Sequence, residues 1–548
     1  METATQKFQP RTFSIKLWPP SETTRLMLVE RMTKNLSSES IFSRKYGLLS
    51  EEEATENAKR IEEACFDSAN EHFMKEPDGD GSSAVQLYAK ETSKLILEVL
   101  KRGPRPREDT EASVVNKSVV LGKTVFDISG GRRAFIDAEE AKEVLAPLTE
   151  EGNSYSKICL SNRSFGIDAA RVAAPVLASL RKQLTEVDLS DFIAGRAEDE
   201  ALEVMRIFSL ALEGCVLKYL NLSDNALGEK GVRAFEALLR SQNSLEELYL
   251  INDGISEEAA KALCELIPST DKLKTLHFHN NMTGDEGATA IAEVLKHSPL
   301  LENFRCSSTR VGSDGGTALA QALGICTHMK KLDLRDNLFG VEAGIALSRS
   351  LENLVGITEI YLSYLNLEDE GAIAIINALK QSVPSLEVLE IAGNEITTKA
   401  APALSECVAA KKSLTKLILS ENELKDDGAI IIGKALESHT QLKEFDFSNN
   451  MIRRVGARCL AQAVSNKPNF VLLNINGNAI SDEGIDEVKE ILKAGKNSLD
   501  VLGPLDENDV EGEGEEEEEE AEGGEEGSAE EDGGELESKL QHLNVEQD

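Results

Sequence analysis

The sequence predicts an α/β solenoid, a crescent of parallel strands backed by helices, set between an all-α N-terminal domain and a disordered acidic tail. Three observations predict it. A pattern LxxLxLxxN recurs with its first position at Leu184, Leu217, Leu245, Leu273, Leu301, Met329, Ile357, Leu386, Leu414, Leu442 and Phe470, in steps of 28 residues from Leu217 to Ile357 and of 28 or 29 afterwards. Residues 8–107 show helical periodicity without that repeat. Of the net charge of -38, residues 505–548 hold 21 acidic side chains against the single Lys539, which is -20 and leaves -18 for the 504 residues before them.

The N-terminal elements follow from their end signals. Pro19 and Pro20 interrupt the first segment, and Ser21 is a cap for a helix over 22–36. Ser50 and Glu53 form a capping box before a helix over 51–74, and Val85, Leu87, Ile96, Leu97 and Val99 give 83–101 an amphipathic face. The stretch 103–112, rich in Pro, Arg and acids, reads as a linker. Next, 119–126 suits a strand and 138–145 a helix, an irregular cap over the first repeat. Each repeat then places a short strand first, as with Leu245, Leu248 and Leu250, followed by a turn and a helix such as 256–266. This is the leucine-rich repeat, in which each unit buries its apolar strand and helix faces only against its neighbours. Twelve units, counting an irregular first at 155–165, make an arc of the ribonuclease inhibitor type. The expected domains are 1–112 (helical domain and linker), 113–505 (cap and repeats) and 506–548, a tail too polar to offset its ordering entropy.

Composition narrows the function. No apolar run approaches the roughly 18 residues of a membrane span, and residues 1–10 lack the apolar core of a secretory signal. A cytosolic or nuclear chain without membrane insertion is expected, and its charge repels nucleic acid. Eight cysteines stand singly, with no CxxC pair; Cys159 and Cys306 are expected to point inward as small hydrophobes. There is no GxxxxGK[ST], HExxH or GxSxG motif. His277 and His279 alternate along one strand without a third ligand in register, so no metal is expected. A binding surface is expected rather than an active site of the chain's own.

Strand geometry locates that surface. Residues between the core leucines face the concave side, among them Glu186, Asp188, Tyr219, Asn221, Glu247, Tyr249, Thr275, His277, Asn303, Arg305, Lys331 and Asp333. The ladder position, Asn225, Asn281, Asn337, Asn394, Asn422, Asn450 and Asn478, is expected to bond neighbouring backbone. The position before it lies off the ladder at the strand's C-terminal rim and reads Asp191, Asp224, Asn252, Asn280, Ser308 and Asp336.

Two segments of this arc carry a resemblance. The stretch 189–200, with Ser190, Asp191, Phe192, Gly195 and Arg196, and the stretch 248–254, with Tyr249, Leu250 and Asn252, resemble Ran GTPase-activating proteins, as does an acidic tail after the last repeat. Trp18, Pro19 and Pro20 resemble the motif of the plant WPP domain; a packed helix entry is the other reading of those three residues. The tail is not followed by a modifier-attachment domain, which fits the plant type. The resemblance implies an activator of Ran in its GTP form, with Asn252 holding Ran's catalytic Gln instead of an arginine finger entering the site. It implies activity roles for Arg196, as an organiser of the Ran-facing surface, and for Asp336 and Asn225. Asn225 sits on the ladder and would also act through stability. Asp191, Asp224, Asn280 and Tyr249 are the expected binding contacts. Glu198 departs from the Lys of fungal relatives.

The resemblance further implies that no cofactor is needed, Mg2+ and GTP being bound by Ran, and that the N-terminal domain binds coiled-coil nuclear-envelope proteins. The expected location is the cytoplasm and outer face of the envelope, with a role in nucleocytoplasmic transport and relocation to division structures in mitosis. The rival reading is a leucine-rich scaffold or inhibitor that binds without activating, since fold alone does not decide function.

Overall fold

The computed structural model describes residues 19–20, 22–37, 49, 51–75, 82–102, 124–130, 133–467, 469–496 and 499–508. They belong to two compact units, Met1–Leu121 and Gly122–Asp548. Trp18, both expected cap residues Ser21 and Ser50, the linker 103–112 and the chain beyond Asn508 lie outside the described residues; Pro19 is exposed and Pro20 half-buried.

The first unit has helices Glu22–Ser37, Glu51–Lys75 and Ser82–Arg102, each within a residue of its expected bounds. Ala54, Ala58, Cys65, Ala69 and Ala84 are fully buried between them, and these small side chains let the helices approach closely around Leu36, Ile61, Tyr88 and Val99. One charged pair enters this core. Arg25 donates through Nε and Nη2 to the two carboxylate oxygens of Glu62 at 2.6 and 2.7 Å, and its guanidinium lies 3.5 Å from the Phe66 ring centroid. A carboxylate with 7% side-chain exposure needs such a two-pronged partner, because removing it would leave a buried charge.

The second unit is the repeat solenoid. Its main sheet has 13 parallel strands, each three residues long, and they follow chain order apart from Ala134–Ile136 and Arg163–Phe165, which pair in a separate sheet. Register is strict: Leu220 pairs with Leu248, Leu248 with Leu276 and Leu276 with Phe304, all buried. Leucine at the central position of one strand therefore stacks on its counterpart in the next. The cap has its expected helix, at Ala138–Val144. Its described strand is Val125–Asp127, pairs with Lys157–Cys159 and so lengthens the repeat sheet. Cys306 is buried as expected, but Cys159 is not inward; it pairs with Asp188 on the concave face, where partial burial pushes its thiol up to about 12, and Ile158 and Leu160 take the core positions.

Two devices fasten repeat to repeat. The ladder asparagines are buried as predicted: Asn281 donates Nδ2 to the carbonyls of Leu250 and Phe278 at 2.7 and 2.8 Å, and accepts through Oδ1 from the amides of Asp253 and Ile255. On the helix side, Asp285 accepts from the amides of Gly312 and Gly315, which places a carboxylate of one repeat at the N-terminus of the next repeat's helix, Ser313–Leu323. Asp426 does the same for Arg453 and Gly456. Gly315 is required by this closeness, since a Cβ there would stand 2.8 Å from the Asp285 backbone.

At the far end, Gly503 donates to the Leu473 carbonyl, Glu507 to Asn476 Oδ1, and Asn478 donates its amide to Asn508 Oδ1. The ordered edge thus runs through Asn508, past the expected start of the tail at Asp506. Among the described residues no helix is long and apolar enough to cross a membrane.

Candidate functional site

Where the repeat strands from Glu186–Asp188 to Lys331–Asp333 end, the chain turns through one residue of left-handed conformation. The φ values are 50° at Asp191, 62° at Asp224, 56° at Asn252, 54° at Asn280, 55° at Ser308 and 56° at Asp336. Asn, Asp and Gly tolerate this region best. The short polar stripe predicted at the rim is therefore present, and its composition has a backbone cause. Composition alone does not make it a site; the side-chain arrangement is what distinguishes one part of it.

Asn252 is exposed and held on both sides. Its Nδ2 donates to Asp224 Oδ1 at 3.0 Å, and its Oδ1 accepts from Asn280 Nδ2 at 3.0 Å. Next to it an open groove of about 690 Å3 runs along the rim, lined by Asn252, Gly254, Asn280, Met282, Ser308, Arg310, Asp336 and Leu338. Met282 and Leu338 leave 43% and 61% of their surface in water, which puts two apolar side chains on the groove. Arg310 is exposed and, among the described residues, has no hydrogen-bonded or ionic partner. Asp336 is likewise exposed on the groove. The groove thus offers a fixed amide, a free guanidinium, a carboxylate and two apolar side chains, the mixture found in protein-binding patches.

Arg196, Asn225, Asp191 and Tyr249 stand elsewhere. Arg196 has a side-chain exposure of only 16%. It donates Nε to Ser164 Oγ and Nη2 to the Ser164 carbonyl at 3.0 and 2.6 Å, Nη1 to Glu200 at 3.3 Å, and lies 5.0 Å from the Phe135 ring. It ties the cap to the first regular repeat and shapes the loop after Asp191. Asn225 is 2% exposed; its Nδ2 donates to the carbonyls of Leu189, Leu222 and Ser223, and its Oδ1 accepts from the Phe192 amide. With that burial and those bonds it is a ladder residue. Asp191 is occupied by Arg133, which donates Nε at 3.0 Å.

Tyr249 lies on the concave face, donating to Glu247 and stacked between Tyr219 and His277 at 5.4 and 5.0 Å. Burial pushes its phenol above the usual range and holds His277 and His279 below theirs, so both imidazoles are neutral at pH 7. Farther along, buried Asp333 takes Arg335 through both oxygens and Arg305 at 3.1 Å, while Arg335 also reaches Glu390. The concave cations are tied to carboxylates; Arg310 at the rim is not.

Sequence reasoning missed Met282, Arg310 and Leu338. The signal was available in the position after the ladder, where apolar and basic side chains follow one another and no core role is prescribed.

Comparison with known proteins follows this division of the chain. The WPP domain profile matches residues 14–110. MFP1 attachment factor 1 of Solanum lycopersicum is 38% identical over 112 residues, which is 20% of this chain and 72% of that one. The chain belongs to the WPP-domain family. A leucine-rich repeat profile matches this WPP-domain protein at 215–235, 326–348, 410–433 and 466–488. RAN GTPase-activating protein 2 of Arabidopsis thaliana is 66% identical over 241 residues, 44% of each chain, and RAN GTPase-activating protein 1 of the same plant 63% over 251 residues, 46% of each. The WPP-domain protein is a homologue of these two, and the matched stretch spans less than half of their length.

Proposed function

We propose that this WPP-domain protein is a GTPase-activating protein for Ran, that the rim groove receives Ran in its GTP form, and that Asn252 holds Ran's catalytic Gln toward the attacking water. The observation that carries this reading is the Asn252 amide, exposed on a groove and held by neighbours on both sides while keeping hydrogen-bonding capacity for a partner. Phosphoryl transfer is governed by positioning and electrostatics, so a fixed amide is a suitable tool. Mg2+ and GTP stay on Ran, and the repeat unit supplies contacts only. The homology to the two plant activators supports the choice of Ran as partner.

The N-terminal unit has the other part in this reading. Its kinship with WPP-domain proteins supports a tethering role, in which it binds coiled-coil proteins of the nuclear envelope and keeps hydrolysis at the outer face, giving nucleocytoplasmic transport its direction. A role in mitosis belongs to the same proposal.

Mixing the full chain with Ran loaded with GTP under single-turnover conditions tests the activating role. Acceleration of about 10³- to 10⁵-fold, the range known for GTPase activators, is expected. Binding without acceleration would favour the scaffold reading.

A further inference from the structure

We infer that Asp224 is a positioning residue that decides which end of the Asn252 amide the partner meets, with Asn280 following its choice. The inference rests on the proposed role of Asn252. A primary amide fits its site in two orientations of nearly equal shape, with nitrogen and oxygen exchanged, and the surrounding hydrogen bonds choose between them. Asn280 cannot choose, because its own amide turns to suit either. Asp224 can, because a carboxylate only accepts. Facing Asp224 Oδ1 at 3.0 Å, Asn252 must present Nδ2, which turns its Oδ1 to Asn280, where Nδ2 donates at 3.0 Å.

The count of hydrogen-bonding capacity then specifies the partner group. Asn252 has two N–H donors and two acceptor sites, and each neighbour uses one. One donor remains on the Asp224 side and one acceptor on the Asn280 side. A donor beside an acceptor is the complement of another primary amide, held in one orientation only. The same rim offers no second such arrangement among the described residues: Asp191 is taken by Arg133, and Ser308 and Asp336 have no side-chain hydrogen bond to a rim neighbour. All three members are exposed, so each hydrogen bond is modest and the effect of removing one is an altered orientation rather than an unfolded loop.

The left-handed backbone dictates the variants. Alanine at Asp224 would add strain at φ 62°, whereas glycine removes the carboxylate without it and asparagine keeps an acceptor oxygen. The full chain, labelled with 15N at Asn, is compared as wild type, Asp224→Gly and Asp224→Asn, with the Asn252 side-chain signals assigned by their loss in Asn252→Gly. In the wild type those two amide protons are well separated and exchange slowly with solvent; in Asp224→Gly they move to the positions of free Asn and exchange fast. In single-turnover hydrolysis at saturating protein, Asp224→Gly lowers the rate about 5- to 10-fold, the size of one surface hydrogen bond, and Asp224→Asn restores most of it. Unchanged Asn252 signals in Asp224→Gly overturn the inference, as does a displaced amide with an undiminished rate. If Asn252→Gly itself hydrolyses at the wild-type rate, the functional proposal fails, while the amide signals still decide the positioning.

Discussion

Asp253 occupies a ladder position where other repeats have asparagine, and its burial is complete. Its Oδ1 accepts the Asn225 amide at 2.9 Å, but its Oδ2, at the place where an asparagine donates NH2 to carbonyls, is buried without a partner among the described residues. Burial drives this carboxyl well above its ordinary value of 3.8, with the nearby Asp224 charge adding to the rise. The folded state therefore binds a proton that the unfolded chain releases, so this group favours folding at low pH and that contribution is lost as pH rises from the unfolded value through the folded one. Asp253→Asn supplies the missing donor at every pH. We predict a stability gain of about 1–3 kcal/mol at pH 7, shrinking toward pH 4, measured by urea unfolding across pH.

Arg310 calls for a different measurement. Exposed and unpaired on the groove, it adds to association with a partner rather than to folding. Arg310→Ala is expected to weaken binding of Ran by about 5- to 10-fold and to flatten its salt dependence, with hydrolysis at saturation and melting temperature unchanged. A lowered saturated rate would place Arg310 in the activating step instead. The sequence showed Asn252 on the rim because register alone places it there. It did not show that left-handed backbone accounts for the whole polar stripe, because conformation is not written in a residue type that suits both a turn and a contact.

At the scale of elements, the repeats were legible because a strict period leaves one way to bury every strand. The cap was legible only in part: its helix Ala138–Val144 falls within the expected 138–145, but without a period its strand pairing is not written. Its strand Val125–Asp127 extends the repeat sheet, and the second small sheet of Ala134–Ile136 with Arg163–Phe165 had no sequence signal. What joins this sheet to the helix Glu198–Leu212 is the Arg196 fork, three of whose bonds end on Ser164 and Glu200. Lysine cannot reproduce a planar fork or its stacking on Phe135. We predict that Arg196→Lys destabilises the cap by about 2–3 kcal/mol. Hydrogen exchange should rise in 134–136 and 163–165 while repeats beyond Asn394 stay protected; uniform protection would show that Arg196 is not the fastener.

For the whole molecule, charge is the organising quantity. The last 44 residues, 505–548, carry -20 of the total -38, and nearly all of that lies beyond the described edge at Asn508. A charge so concentrated acts at long range and weakens with salt, since the screening length is about 8 Å at physiological ionic strength. If it draws a basic surface of Ran toward the groove, a chain ending at Asn508 should associate more slowly in about 20 mM salt and at the same rate as the full chain in about 500 mM. Equal rates at both would leave the tail a solubility device.

The central claim is that an oriented amide on the rim does the activating, and single-turnover hydrolysis by Ran with Asn252→Gly tests it most directly. Glycine suits φ 56° at this position and so removes the amide without straining the loop. The account predicts a fold as stable as the wild type, Ran still bound, and a hydrolysis rate lowered by at least about 100-fold. A rate within about threefold of wild type would contradict it.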